Sequence, residues 1–271
     1  MPLLTQARDL ADDVTAWRRH LHREPELLFA VEKTASFVEQ KLKEFGADEV
    51  VAGIGRTGVV GLIRGKGQGS KTIGLRADMD ALPISEKSGK PWASTIAGKM
   101  HACGHDGHTA MLLGAARYFC DTRDFAGSVA VIFQPAEEGG GGGDLMVRDG
   151  MMERFGIDEV YGMHNLPGLE VGQFAIRKGP IMAATDVFSI TVRGRGGHAA
   201  MPHSSIDPIV IAAQIVSALQ MIVSRNVDPL QSLVVSVTKF HAGTATNVIP
   251  DQAELTGTVR TLLPDVQDMA E

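Results

Sequence analysis

The sequence predicts a two-domain α/β protein, with a mainly parallel sheet and its flanking helices in residues 1–180 and a small α+β domain in residues 181–271. Three observations predict it. From about Gly58, short β-rich runs alternate with helical segments, the pattern of a sheet built from strand–helix–strand units. Three of those runs are followed by acidic residues or histidine, and open α/β sheets collect ligands at the carboxyl ends of their strands. Beyond Ile181 the order becomes strand, helix, strand, strand and the start of a helix, which describes a separate antiparallel sheet with helices on one face.

The elements follow in order. Leu10, Val14, Trp17 and Leu21 recur at helical spacing, as do Val31, Ala35, Val38, Leu42 and Phe45. Pro25 separates the two helices, and Gly46 is placed to cap the second. His20 and His22 fall in the polar part of this region and read as solvent-facing residues. Residues 72–77 (TIGLRA), 128–134 (SVAVIFQ) and 159–163 (EVYGM) read as strands. They are followed by Asp78 and Asp80, by Glu137 and Glu138, and by His164. In the second domain, residues 187–193 alternate, with Phe188, Ile190 and Val192 on one face. A helix over 207–223 has Pro208 in its first turn. Strands follow over 233–241 and 252–261, and Pro264 and Asp265 open another helix.

Composition narrows the function classes. With 44% hydrophobic and 21% charged residues, the chain reads as an ordinary soluble globular protein. Its net charge of −6 is spread over interspersed acids and bases with no basic stripe, so nucleic acid is not an expected partner. The first residues turn acidic before any apolar run long enough for a signal peptide or membrane span, which gives a cytoplasmic expectation and no membrane partner. Cys103 and Cys120 are the only cysteines, too few for a disulfide scaffold.

The densest cluster of chemistry is residues 100–109, MHACGHDGHT. Residues two apart in an extended segment point to one side, so Cys103 and His105 can face the same metal site. A thiolate with an imidazole suits zinc or a similar first-row divalent ion. His101, Asp106 and His108 read as partners that orient ligands, or, for His108, as a helix cap. Glu137 and Glu138 are adjacent, so their side chains diverge: one can bind metal while the other faces substrate as a general base. The five glycines over 139–143 lack Walker spacing and its lysine; they read as close backbone packing beside the site. His164 at a strand end is a further ligand candidate. In the second domain, His198 and Asn247 are donors suited to an oxyanion or a substrate carboxylate, and Arg260 can grip a carboxylate bidentately.

RADMDALP, MHACGHDGHTA, QPAEEGGGG, GMHN, GRGGHAAMPH and NVIPD occur in one order over nearly the whole chain. Together they closely resemble the metallo-amidohydrolase family of hippurate hydrolase, N-acyl-amino-acid amidohydrolases (aminoacylases) and indole-acetyl-amino-acid hydrolases. The resemblance implies a zinc-exopeptidase-like catalytic domain carrying an inserted ferredoxin-like lid and dimerisation domain. It implies Cys103, His105, Glu138 and His164 as ligands of two divalent metal ions, zinc or manganese with cobalt or nickel also suited. It further implies Glu137 as general base, Asp80 as the supporting aspartate of the catalytic group, and His198 as a catalytic donor supplied across a homodimer. Asn247 and Arg260 match substrate-holding positions, and Asp78 stands where more distant relatives carry a ligand histidine. Family members extend for roughly another hundred residues, in line with usual domain sizes, so a C-terminally truncated second domain and a missing final histidine ligand are expected. The expected activity is hydrolysis of the amide bond of small N-acyl amino acids. Alternatives are a dipeptidase or carboxypeptidase on the same site, or a non-catalytic metal-binding homologue. A cysteine-nucleophile enzyme is weaker, because it leaves the carboxylate pair without a task.

Overall fold

A computed structural model describes residues 2–271. The chain divides into two compact units, Met1–Gly168 and Leu169–Glu271. The first opens with α1 (Pro2–Asp9), α2 (Ala11–Arg23) and α3 (Glu32–Phe45). The apolar stripe of α3, with Ala35, Val38 and Leu42, is buried, and Gly46 ends the helix in the left-handed region at φ 80°. There follow β1 (Glu49–Ile54), β2 (Gly58–Arg64), β3 (Gly67–Asp78), α4 (His105–Thr122), β4 (Ala126–Gln134), α5 (Gly142–Arg148), α6 (Met151–Phe155) and β5 (Ile157–Gly162).

The sheet runs β1-β2-β4-β3-β5. Strand β3 pairs in parallel with β4 and with β5, whereas β1 with β2 and β2 with β4 are antiparallel. The expectation of a mainly parallel sheet is thus corrected to a mixed one. The reason is local: Gly55 and Arg56 take φ of 60° and 79°, which reverses the chain between β1 and β2. Both faces are covered. Val59, Ile63, Val131 and Phe133 pack with α3 and α4 on one side. Val60, Leu62, Ala130 and Ile132 pack with Met146, Met151 and Phe155 of α5 and α6 on the other. A strand buried on both faces reads as a continuous apolar run, as β2 and β4 do.

The second unit comprises β6 (Ala184–Arg193), β7 (Gly197–His198), α7 (Pro208–Met221), β8 (Leu233–Ala242), β9 (Val248–Ile249), β10 (Gln252–Thr261) and α8 (Pro264–Ala270). Strand β10 lies between β6 and β8, antiparallel to both. Alternate β10 residues Ala253, Leu255 and Val259 are buried with Ala212 of α7 and Val266 of α8, so both helices take one face of this sheet. Asp207 caps α7 by accepting from the Ile209 amide, and Pro208 fills the first helical position. The outer face of α7 is also apolar: Ile209, Val210, Ile211 and Met221 are exposed, Val210 at 55%.

Candidate metal centre

The parallel trio β4-β3-β5 places three strand ends side by side. Asp78 and Asp80 follow β3, Glu137 and Glu138 follow β4, and His164 follows β5. The segment 100–104 then delivers Cys103 and leads into α4, whose first residue is His105. Gly104 makes this entry at φ 89°, and a Cβ there would collide with the side-chain amide of Asn165. The acid pair is aimed by a similar constraint. Ala136 holds φ 51°, an outlier for a residue with a side chain, next to Glu137. Gly142 packs so closely beneath it that a Cβ would strike the Pro135 carbonyl.

His105 is the hub. Its Nδ1 donates to the Asp80 carbonyl at 2.7 Å, which leaves Nε2 as the free lone pair. That Nε2 is buried without a hydrogen-bond partner, as is Oε1 of Glu138, and the two lie 3.8 Å apart. Glu137 Oε2 is also 3.8 Å from Nε2. On the other side, Cys103 Sγ lies 3.3 Å from His164 Nε2, and His164 Nδ1 donates to the Asn165 carbonyl at 2.7 Å. Cys103, His105 and His164 present ligand atoms within 4.8 Å of one another, and so do His105, Glu137 and Glu138. Both histidines therefore have one nitrogen anchored on a backbone carbonyl and the other aimed into the cluster, the usual arrangement of metal-ligating imidazole. A thiol, two imidazoles and carboxylates with orphaned buried atoms fit a divalent first-row ion.

The remaining polar residues hold this set in place. Asp80 accepts the Glu137 amide at 2.9 Å on one oxygen and the Glu138 amide at 3.1 Å on the other, so it positions the acid pair through the backbone. Asp78 accepts from His108 Nδ1 at 2.7 Å and from Arg76 at 2.8 Å. The second nitrogen of His108 accepts the Asn165 amide at 3.1 Å. Although Asp78, His105 and His108 also lie within ligand distance, His108 has no free lone pair left. Burial would raise Asp78, but the His108 bond and the nearby Arg76 and His105 outweigh it and hold the carboxyl at about 2. Burial, then Glu138 and Glu137, push the Cys103 thiol up to about 11. Burial also raises Glu138. A site that crowds carboxylates around a thiol favours a cation, which releases that proton on binding.

Of the candidates in the second unit, His198 and Asn247 come together. Strand β7 pairs with β9, His198 opposite Val248, and the Ala199 amide donates to the Asn247 carbonyl at 3.0 Å. Both line a cavity of about 800 Å³ with Gly196, Gly197 and Gly243. Arg260 is not brought to them: it lies near the far end of β10, opposite Thr185 and Val234, and bonds to Thr258 and to the Val259 carbonyl at 2.9 Å.

The reading of His22 as solvent-facing is overturned, while His20 is exposed and stacks against Phe37. His22 is 5% exposed and lies between Asp106 and Glu86. Asn165 was missed as a support, although it stands in the GMHN motif; the signal was its place beside a strand-end histidine.

The family model for peptidase family M20/M25/M40 matches residues 74–267. The chain is 48% identical over 271 residues to hippurate hydrolase of Campylobacter jejuni, covering 100% of itself and 70% of that protein. It is 52% identical over 255 residues to N-acyl-L-amino acid amidohydrolase of Geobacillus stearothermophilus, covering 93% of itself and 68% of the relative. A solved Bacillus subtilis structure, described as a dinuclear metal-binding peptidase of family M20, matches with a TM-score of 0.77 at 39% identity. That match covers 96% of this chain and 67% of the other.

Proposed function

The chain belongs to peptidase family M20/M25/M40, and from that premise we propose that it hydrolyses the amide bond of N-acyl amino acids with two divalent metal ions. The observation that carries the reading is the buried, unpartnered Nε2 of His105 facing a carboxylate pair, beside a thiol and a second imidazole. Its support from relatives is similarity to an N-acyl-amino-acid amidohydrolase and to hippurate hydrolase.

Cys103, His105, Glu138 and His164 are the residues that would hold the ions, zinc or manganese by donor chemistry, with cobalt or nickel also suited. When bound, such a pair polarises the amide carbonyl and makes water more acidic. The chain's own residues do the rest. Glu137 takes the proton of the attacking water on its exposed carboxylate and hands it to the leaving amine. Asp80 keeps Glu137 and Glu138 diverging from one fixed stretch of backbone. His198 from a second subunit donates to the oxyanion and Asn247 holds the substrate, whereas Arg260, bonded to Thr258 and the Val259 carbonyl away from them, is given no part in this site. The second unit acts as lid and dimerisation domain, its exposed apolar α7 face covered by another copy. Both cysteines are free thiols, which supports a reducing, cytoplasmic setting.

The test is hydrolysis of a panel of N-acyl amino acids, hippurate included, before chelation, after it, and after metal is added back. Activity lost to the chelator and restored by a divalent ion is expected. Failure to turn over any of them with metal loaded overturns the reading. Glu137→Gln is expected to lose about 100-fold or more in kcat while binding metal normally. Full turnover in that variant would place the base elsewhere.

A further inference from the structure

The second buried polar cluster of the first unit lies outside the ligand set. His22, on α2, sits between two carboxylates: its Nδ1 is 2.8 Å from Asp106 Oδ2 and its Nε2 is 3.3 Å from Glu86 Oε1. Asp106 is 1% exposed and takes a second donor on the same oxygen, Arg18 Nε at 3.0 Å. His101 completes the surroundings, its ring centroid 6.3 Å from that of His22. Carboxylates only accept, so both nitrogens of His22 donate and the ring is an imidazolium. The Asp106 bond raises its pKa in agreement.

This cluster has leverage because of what it joins. Asp106 directly follows His105 in the first turn of α4. Glu86 belongs to the irregular stretch between β3 and Cys103, and it also accepts the Ser94 amide at 2.6 Å. The same helix α2 fixes that stretch at further points. The Arg23 carbonyl accepts from the Thr95 amide and hydroxyl, both at 2.8 Å, and Arg19 lies 4.1 Å over the Trp92 ring. Cys103 and His105 therefore stand at the junction of two pieces that α2 holds, and His22 touches both.

We infer that His22 is a positioning residue of the metal centre, clamping the segment before Cys103 and the helix turn of His105 to α2 through Glu86 and Asp106. The inference rests on the reading of His105 as a ligand. Removing His22 leaves Asp106, a buried carboxylate, short of its better donor, and such a group turns toward water and carries its helix turn with it. The chemistry acts through His105, so the expected signature is in metal binding.

The experiment compares zinc affinity, by competition with a chromophoric chelator, and the visible spectrum of the cobalt(II) protein. His22→Leu removes both bonds. His22→Asn keeps a donor near the position of Nδ1 and so retains the Asp106 contact. His22→Leu is expected to weaken zinc binding at least about tenfold and to alter the cobalt spectrum, with most of the affinity recovered in His22→Asn. A folded His22→Leu protein with the parent's affinity and spectrum overturns the inference alone. Wild-type protein that binds neither ion overturns the metal-centre reading and this inference with it. Should His22→Leu not fold, His22→Gln, which keeps a donor near the position of Nε2 for Glu86 and loses the Asp106 bond, takes its place; weakened zinc binding supports the clamp, and unchanged binding sinks it.

Discussion

His105 and His108 lie in one turn of α4 and do different work, because hydrogen bonding decides what each nitrogen can offer. His105 spends one nitrogen on a backbone carbonyl and keeps the other, whereas His108 spends both, on Asp78 and Asn165. His101 is the opposite extreme, 5% exposed with neither nitrogen partnered, and burial pushes its pKa down to about 4. The unfolded chain takes up a proton near the ordinary histidine value of about 6.5, while folded His101 refuses it until about pH 4. Its contribution to stability is therefore complete above 6.5 and is lost as pH falls toward 4, amounting to roughly 3 kcal/mol. His22, raised instead, contributes fully below 6.5 and loses its share as pH climbs through its higher value, so it does not mask this window. Urea unfolding with chelator present, at pH 7 and pH 4.5, should show a His101→Gln protein losing much less stability on acidification than the parent. Equal losses would rule out His101 as the source. Cys103, His105 and the acid pair were legible in sequence because their donors crowd into short motifs. His22 was not, because its partner Asp106 is 84 residues away and only tertiary packing turns a polar helix position inward.

At the scale of elements, the site is a property of adjacent strand ends. Asp80, just past β3, accepts both amides of the acid pair that follows β4, so one side chain ties the two strand ends together. Asp80→Ala removes both acceptors while leaving the His105 bond to the Asp80 carbonyl in place. Metal affinity and turnover are expected to fall together by about 10–100-fold, since supports of ligands cost that much when lost. Turnover that falls with zinc affinity unchanged would make Asp80 a participant in the chemistry instead. The strands carrying these groups were readable in part, as β4 and the second half of β3 are short apolar runs with polar ends, and β10 alternates along its whole length. The β1–β2 hairpin was not, nor was the direction of β2. A run buried on both faces fixes neither its partner nor its orientation, and only the left-handed Gly55 and Arg56 decide the reversal.

At the scale of the molecule, the candidate chemistry is divided between two units. Metal donors and Glu137 belong to Met1–Gly168, while His198 and Asn247 line a cavity within Leu169–Glu271. The unit boundary falls ahead of Ile181, where the strand pattern changes, because residues 169–183 form no strand or helix for periodicity to detect. If His198 serves the opposite subunit of a dimer, two broken proteins should repair each other. A Glu137→Gln subunit still supplies a sound His198, and a His198→Ala subunit still supplies a sound Glu137. Separately each variant has no complete site. Mixed in equal amounts and allowed to exchange, half of the dimers become mixed, and each of those holds one complete site of two. Recovered activity should then approach about a quarter of the wild-type value, whereas His198 acting within its own chain gives none. Disrupting the exposed face of α7, for example with Val210→Glu, should abolish the recovery and shift the protein to monomer by light scattering. Recovery that survives in a proven monomer would remove α7 from the interface, and no recovery from proven mixed dimers would return His198 to its own chain.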